Sequence, residues 1–439
     1  MYYTAFARSF AAAQPLRMRS PRFHLLAIAV AAVLAAPAAV ARPRADATQT
    51  GGEVRGLWVL RSSLASPASV ASMVDTATRS GFNTLLVQVR GRGEAFYRSD
   101  LEPRAPELDS QPDTFDPLAM VIDLGHRAGL RVHAWVNVNL VASGATLPRD
   151  RGHVAVAHPE WLMVPRPLAE SLRRTDPRSP AYIGALARWT RTESERVEGL
   201  YLSPVAPASQ DYTVSIVREL VSRYAVDGVH LDYIRYPGAD FDYSATTLDE
   251  FRAQQRPRAT ATDRSRIDRE FVADALAWTK AYPDAFVAFR QQRLTSLVVR
   301  LREAARSVRP ELTVSAAVVP SGEIARREKL QDWPDWAARG YLDAVCPMIY
   351  TTDETEFGGL IADLQRTLRD VPIWAGIGAY RLSAARTAGN VRIARRAGVA
   401  GVLLFSYDSV TGPSALTPNY LATLRPVLLE SPAGGTDRR

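Results

Sequence analysis

The sequence predicts a single (β/α)8 barrel, a TIM barrel with long loops after strands 3 and 4. Three observations lead there. Short apolar segments alternate with helical ones eight times between residues 53 and 425. The strand segments are apolar on both faces, the pattern of a parallel sheet covered by helices. The first strand is followed by Leu60-Arg61-Ser62-Ser63, not by the glycine-rich phosphate loop usual in a doubly wound sheet.

The chain has 439 residues, 47% of them hydrophobic, so a full core is within reach. Residues 1–41 read as a secretory signal peptide. Arg17, Arg19 and Arg22 form its basic region, Phe23 to Ala36 its apolar region, and Ala39-Val40-Ala41 a small-x-small cleavage site. The apolar run is too short to span a bilayer comfortably. Met18 opens a more ordinary signal peptide than Met1. The expected protein is therefore periplasmic or secreted, without stable membrane insertion after cleavage. Residues 42–52 are a polar leader.

Val54–Leu60 is the first strand. Ser69–Ser80 is a helix stopped by Gly81, since glycine suits the left-handed position after a helix end. Asn83–Arg90 is the second strand. Asp116-Pro117 supplies an N-cap and a first-turn proline for a helix reaching Ala128, with Gly129 as its stop. Arg131–Asn137 is the third strand. Residues 138–208 show no strong helical period. Val217, Leu220, Val221 and Tyr224 then share one helix face and lead into Asp227–Pro237, which holds the fourth strand. Residues 236–282 form a second long, aromatic-bearing loop. A helix over 285–308 precedes strands at Leu312–Val319 and Leu342–Tyr350; Ile373–Ile377 and Gly401–Ser406 complete the eight. A last helix around Leu421–Leu429 overlaps the C-terminal tail, taken as 426–439.

Function in such a barrel gathers where strands end. Val229 and Leu231 face one way along the fourth strand, His230 and Asp232 the other. A carboxylate closing an apolar strand is costly unless hydrogen-bonded or used, which makes Asp232 the first catalytic candidate, as nucleophile or general base. Asp353, with Tyr350 beside it, is the leading second carboxylate and Asp408 the reserve. Arg90, Glu94, His133, Asn137, His230, Arg235, Tyr350, Trp374 and Tyr407 are the expected substrate contacts. Carboxylates, planar polar groups and aromatic faces on one rim suit a carbohydrate, and glycoside hydrolysis needs a carboxyl pair. The expected partner is a polysaccharide or glycan strand.

Other classes find less support. The net charge is +8, nearly all from arginine, since Lys280 and Lys329 are the only lysines. It is scattered rather than clustered among aromatics, so no nucleic-acid partner is expected. The histidines lack metal-ligand spacing, so neither metal nor cofactor is expected, and a polysaccharide deacetylase would need such ligands. Cys346, the single cysteine, sits in a strand pattern and reads as a core thiol.

The chain resembles the glycosyl-hydrolase-like family 10 proteins, bacterial exported (β/α)8-barrel enzymes. The resemblance rests on Val54-Arg55-Gly56-Leu57-Trp58, Gln88-Val89-Arg90, Ala95-Phe96-Tyr97, His133-Ala134-Trp135-Val136-Asn137, His158-Pro159-Glu160-Trp161, Asp227–Pro237, Gln331-Asp332-Trp333, Leu342–Tyr350 and Phe405-Ser406-Tyr407. It implies glycosidase activity on cell-wall or extracellular glycan, peptidoglycan strands included. Three positions depart from the family pattern. Tyr233 stands where many relatives have a second aspartate, Glu94 where many have aspartate, and Asp408 where many have glutamate. The fourth strand also resembles the chitinase pattern Asp-Gly-x-Asp-x-Asp-x-Glu. His230 replaces its middle aspartate and Ile234 its catalytic glutamate, so chitinase chemistry would lack its acid. The alternative to an enzyme is a degenerate barrel that binds glycan without cleaving it.

Overall fold

The structure is a computed structural model and describes residues 52–430 other than Ser414. The expected signal peptide and nearly all of the polar leader lie outside the described residues. Eight parallel strands close into a barrel. They are β1 (Val54–Val59), β2 (Thr84–Arg90), β3 (Arg131–Asn137), β4 (Gly228–Asp232), β5 (Thr313–Val318), β6 (Ala344–Ile349), β7 (Trp374–Ile377) and β8 (Gly401–Phe405). β1 pairs with β8, Trp58 opposite Phe405, and closes the sheet.

The outer face of the strands packs under the helices in one large cluster. The helix Pro67–Arg79 is capped by Ser66, whose hydroxyl accepts the Ser69 N–H, and Asp116 caps Pro117–Arg127 in the same way. Gly81 and Gly129 take positive φ of 88° and 75° where those helices end, so the glycines act there as stops. The inward face builds a second cluster of Val54, Trp58, Leu86, Trp135, Ala344, Cys346, Trp374, Leu403 and Phe405. Room for the Trp58 indole comes from Gly376, where a Cβ would meet the ring at 2.8 Å.

Both long segments carry more helix than the sequence suggests. Between β3 and β4 lie Val154–Ala157, Ala169–Arg173 and the 13-residue helix Pro180–Thr192. They pack on an antiparallel ribbon, Leu140–Ala142 against Leu200–Tyr201. Arginines and small residues dilute the apolar stripe of Pro180–Thr192, whose buried positions are Tyr182, Leu186, Ala187 and Thr190. Between β4 and β5 lie Ala245–Gln255, Ala261–Ala273 and Ala277–Ala281, with a small core of their own around Phe251, Phe271, Trp278 and Phe286. The last helix runs Tyr420–Leu429. Among the described residues no helix is long and apolar enough to cross a membrane.

Candidate active site

Inward side chains of β4 alternate Gly228, His230, Asp232, so Asp232 closes the strand at the C-terminal mouth of the barrel. The next residue, Tyr233, has φ of 49°, a left-handed conformation that costs a non-glycine residue energy. That turn aims the Tyr233 N–H at Asp232 Oδ1, 2.6 Å away. Asp232 lines a cleft with Trp58, Trp135, Glu198, Tyr233, Arg235, Ala317, Met348, Tyr350, Tyr380 and Phe405.

The floor is aromatic and fixed. Trp58 Nε1 donates to His230 Nε2 at 3.0 Å, which leaves the His230 proton on Nδ1, facing Ser315 Oγ at 3.0 Å. Trp135 Nε1 donates to Asn137 Oδ1 at 2.8 Å, and Asn137 Nδ2 donates to the Gly91 carbonyl at 2.8 Å. Phe405 meets Trp58 edge-on at 5.9 Å between ring centroids. Tyr350 lies 5.4 Å from Phe405 and crosses Tyr380 near-perpendicularly at 5.9 Å. Rings held in this way can cover the apolar faces of a sugar without reorganising.

One wall comes from the insertion after β3. The ribbon is tied to the rim by Leu202 N–H to the Asn139 carbonyl at 2.7 Å and by Asn139 Nδ2 to the Arg235 carbonyl at 3.2 Å. Gly199 lets the ribbon strands approach, since a Cβ there would stand 2.0 Å from the Ala142 carbonyl oxygen. Glu198, just before it, accepts Arg235 Nη2 at 2.8 Å and the Tyr201 hydroxyl at 2.6 Å. The Arg235 guanidinium lies over the Tyr233 ring, 4.7 Å from its centroid.

The two carboxyls of the cleft have opposite electrostatics. Burial pushes Asp232 up to about 6; the Tyr233 N–H and Arg235 oppose this, and the charge of Glu198 adds to it. Burial also works against the charge of Glu198, but Arg235, Lys329 and the Tyr201 hydroxyl outweigh it and hold the group at about 2. Two carboxyls on one cleft, one pushed up and the other held down, form a pairing that acid–base chemistry can use.

Of the residues singled out from sequence, Asp232, Arg235 and Tyr350 line this cleft. The others do not line it. Asp353 is exposed and caps the helix Glu354–Thr367, accepting the N–H groups of Thr355 at 2.7 Å and Glu356 at 3.0 Å. Asp408 is occupied by Leu60 N–H and the Ser62 and Ser63 hydroxyls, all within 2.8 Å, and fastens the turn after β1. Arg90 is fully buried. It makes a two-pronged pair with Glu102 and donates to the Asn137 and Val138 carbonyls, so it clamps β3 rather than meeting solvent. His133 and Trp374 stand near the starts of β3 and β7, at the end of the barrel opposite the cleft, packed edge to face at 5.6 Å. Trp374 is thus barrel core and not a rim platform. Burial pushes His133 down to about 4 and His230 to about 3, so both are neutral core groups. Asn137 is buried and spent on orienting Trp135. Tyr407 packs into the outer core. Glu94 is half-buried in the loop after β2 and pushed up to about 7 by burial and Glu107, but it does not line the cleft.

Glu198 and the rings of Trp58, Trp135, Tyr233, Tyr380 and Phe405 are lining residues that the sequence reading did not single out as contacts. Strand alternation could have found Trp58, Trp135 and Phe405, each inward near a strand end. Among the described residues no group of three or more His, Cys, Asp or Glu could hold a metal ion.

Comparison with known proteins agrees with this architecture. The family model "Glycosyl hydrolase-like 10" matches residues 53–388. Glycosyl hydrolase DigH of Escherichia coli K12 is 26% identical over 355 residues, which is 72% of this chain and 69% of that protein. Glycosyl hydrolase YngK of Bacillus subtilis is 27% identical over 172 residues, 38% of this chain and 27% of that protein. Among solved structures, the glycoside hydrolase domain of PgaB (BpsB) from Bordetella bronchiseptica superposes with a TM-score of 0.59 at 15% identity, covering 86% of this chain and 99% of that one.

Proposed function

The chain belongs to the glycosyl hydrolase-like 10 family, and from that premise we propose that it is an exported glycoside hydrolase. Its substrate is a cell-wall or extracellular polysaccharide, with peptidoglycan glycan strands the first to try. The observation that carries this reading is the place of Asp232: it closes β4 at the barrel mouth inside a ring of fixed aromatic side chains, where burial pushes its pKa up. Such a group can give its proton to a glycosidic oxygen while the rings hold the sugar. On this reading Asp232 acts as the general acid; its strand position alone suggests a nucleophile or general base.

The test is release of reducing ends from peptidoglycan glycan strands and a panel of polysaccharides. Asp232→Asn should lower turnover at least ~10²-fold. Full activity in that variant would remove Asp232 from the mechanism. An unmodified protein that binds glycan but cleaves none would instead favour the binding-only barrel. Export has its own check. The basic and apolar pattern of Arg17–Ala41 supports a mature N-terminus near Arg42, and an uncleaved cytoplasmic product would contradict it.

A further inference from the structure

β4 offers no second acid to work with Asp232, because Tyr233 follows it and Ile234 is apolar. Asp353, on a helix cap, and Asp408, in the turn after β1, do not line the cleft. Among the described residues the remaining carboxylate on the cleft wall is Glu198. We propose that Glu198 is the catalytic partner of Asp232, delivered to the cleft by the insertion after β3 rather than by a barrel strand. The inference rests on the hydrolase reading above and names its second carboxyl.

Three features carry it. Glu198 and Asp232 line the same cleft. Glu198 is fixed from two sides, by Arg235 Nη2 on Oε1 and by the Tyr201 hydroxyl on Oε2, which sets its orientation before substrate arrives. Both it and Arg235 line the cleft, and the Glu198 side chain is the more exposed of the two, 13% against 3%.

In the reaction the glycosidic oxygen takes the Asp232 proton as its bond to C1 breaks, and the bonding pair stays on that oxygen. Glu198 removes a proton from a water whose oxygen makes the new bond to C1. One water is consumed, one C–O bond is broken and one is formed; Asp232 regains a proton from solvent and Glu198 returns one. Direct attack of Glu198 on C1 gives the other allowed course. Water then cleaves the ester with Asp232, now charged, as base. The product anomer separates the two, inverted in the first and retained in the second.

The test uses the full chain and, as probe, peptidoglycan glycan strands or whichever polysaccharide of the panel the unmodified protein cleaves. Glu198→Gln should lose at least ~10²-fold in kcat with KM little changed. Glu198→Asp keeps the charge beside Arg235 but withdraws the carboxyl by a methylene. It should melt near the unmodified protein yet lose turnover. Glu198→Ala should regain turnover on addition of formate or azide, small anions that fill the vacated space. A purely structural Glu198 would behave otherwise: Glu198→Asp would be active, and Glu198→Ala would melt earlier with no anion rescue. Turnover in Glu198→Gln within about twofold of the unmodified protein, or loss in Glu198→Ala that no anion restores, overturns the assignment and leaves the hydrolase reading standing. An unmodified protein that cleaves no glycan overturns both.

Discussion

Asp232→Asn should make the protein more stable at neutral pH while removing its activity. Asp232 is 8% exposed, and burial raises its pKa from 3.8 to about 6. It therefore binds its proton more tightly in the folded state than in the unfolded chain. The stability this lends is complete below about pH 4 and lost as pH rises through about 6. At pH 8 the native state carries a buried charge that the unfolded chain would hold at lower free energy. A difference of about two pKa units corresponds to ~3 kcal/mol at 1.36 kcal/mol per unit. Asparagine is nearly isosteric and keeps an oxygen for the Tyr233 N–H, so it should recover much of that amount. With an unfolding entropy of ~0.8 kcal/mol/K for a barrel of this size, the melting temperature should rise by up to about 4 °C at pH 8. At pH 4 the two proteins should melt together. Thermal unfolding at the two pH values, beside reducing-end release, measures both effects. Turnover of the unmodified protein should fall as pH rises through about 6, as the acid loses its proton. An Asp232→Asn protein that melts lower than the unmodified protein at pH 8, or equally at every pH, would refute the reasoning.

Trp374→Ala should lower stability by ~3–5 kcal/mol, the cost of emptying a core site, with glycan retention per folded molecule unchanged; calorimetry and a pull-down on insoluble glycan check the two halves. Asp353→Ala should cost about 1 kcal/mol through its lost helix cap and leave turnover intact, which a melting curve and the reducing-end assay will show. Arg90→Met should destabilise by ~3–5 kcal/mol, because Glu102 would be left buried with, among the described residues, the Tyr212 hydroxyl as its remaining side-chain partner; urea unfolding measures this.

The barrel was legible because its determinants are local. Each strand announces itself by a short apolar run, and glycines such as Gly81 and Gly129 mark where helices stop. Of the cleft, Asp232 was read from strand alternation and Arg235 and Tyr350 from their places just beyond strand ends, while alternation also reaches Trp58, Trp135 and Phe405. Arg90 misled because a charged residue ending a strand looks the same whether it meets substrate or a buried Glu102. Trp374 misled for a different reason. The seventh strand is four residues long, and its first residue belongs to the far end of the barrel even though the whole strand sits close to the rim in sequence.

Glu198 was illegible because nothing local determines its place. It lies 34 positions before Asp232 in sequence, and three long-range contacts bring it to the cleft. The ribbon pairs Leu140 with Tyr201, Asn139 joins ribbon to rim, and Arg235 receives the carboxylate. None of these shows as periodicity. Arg235 carries the consequence. As a cation buried at the rim it needs a counter-charge, and β4 leaves none free, because Asp232 is turned to the Tyr233 N–H. A buried arginine at a strand end is therefore a signal that some distant segment must bring a carboxylate to it. Here that requirement fixes the insertion to the barrel and places Glu198 on the wall of the cleft.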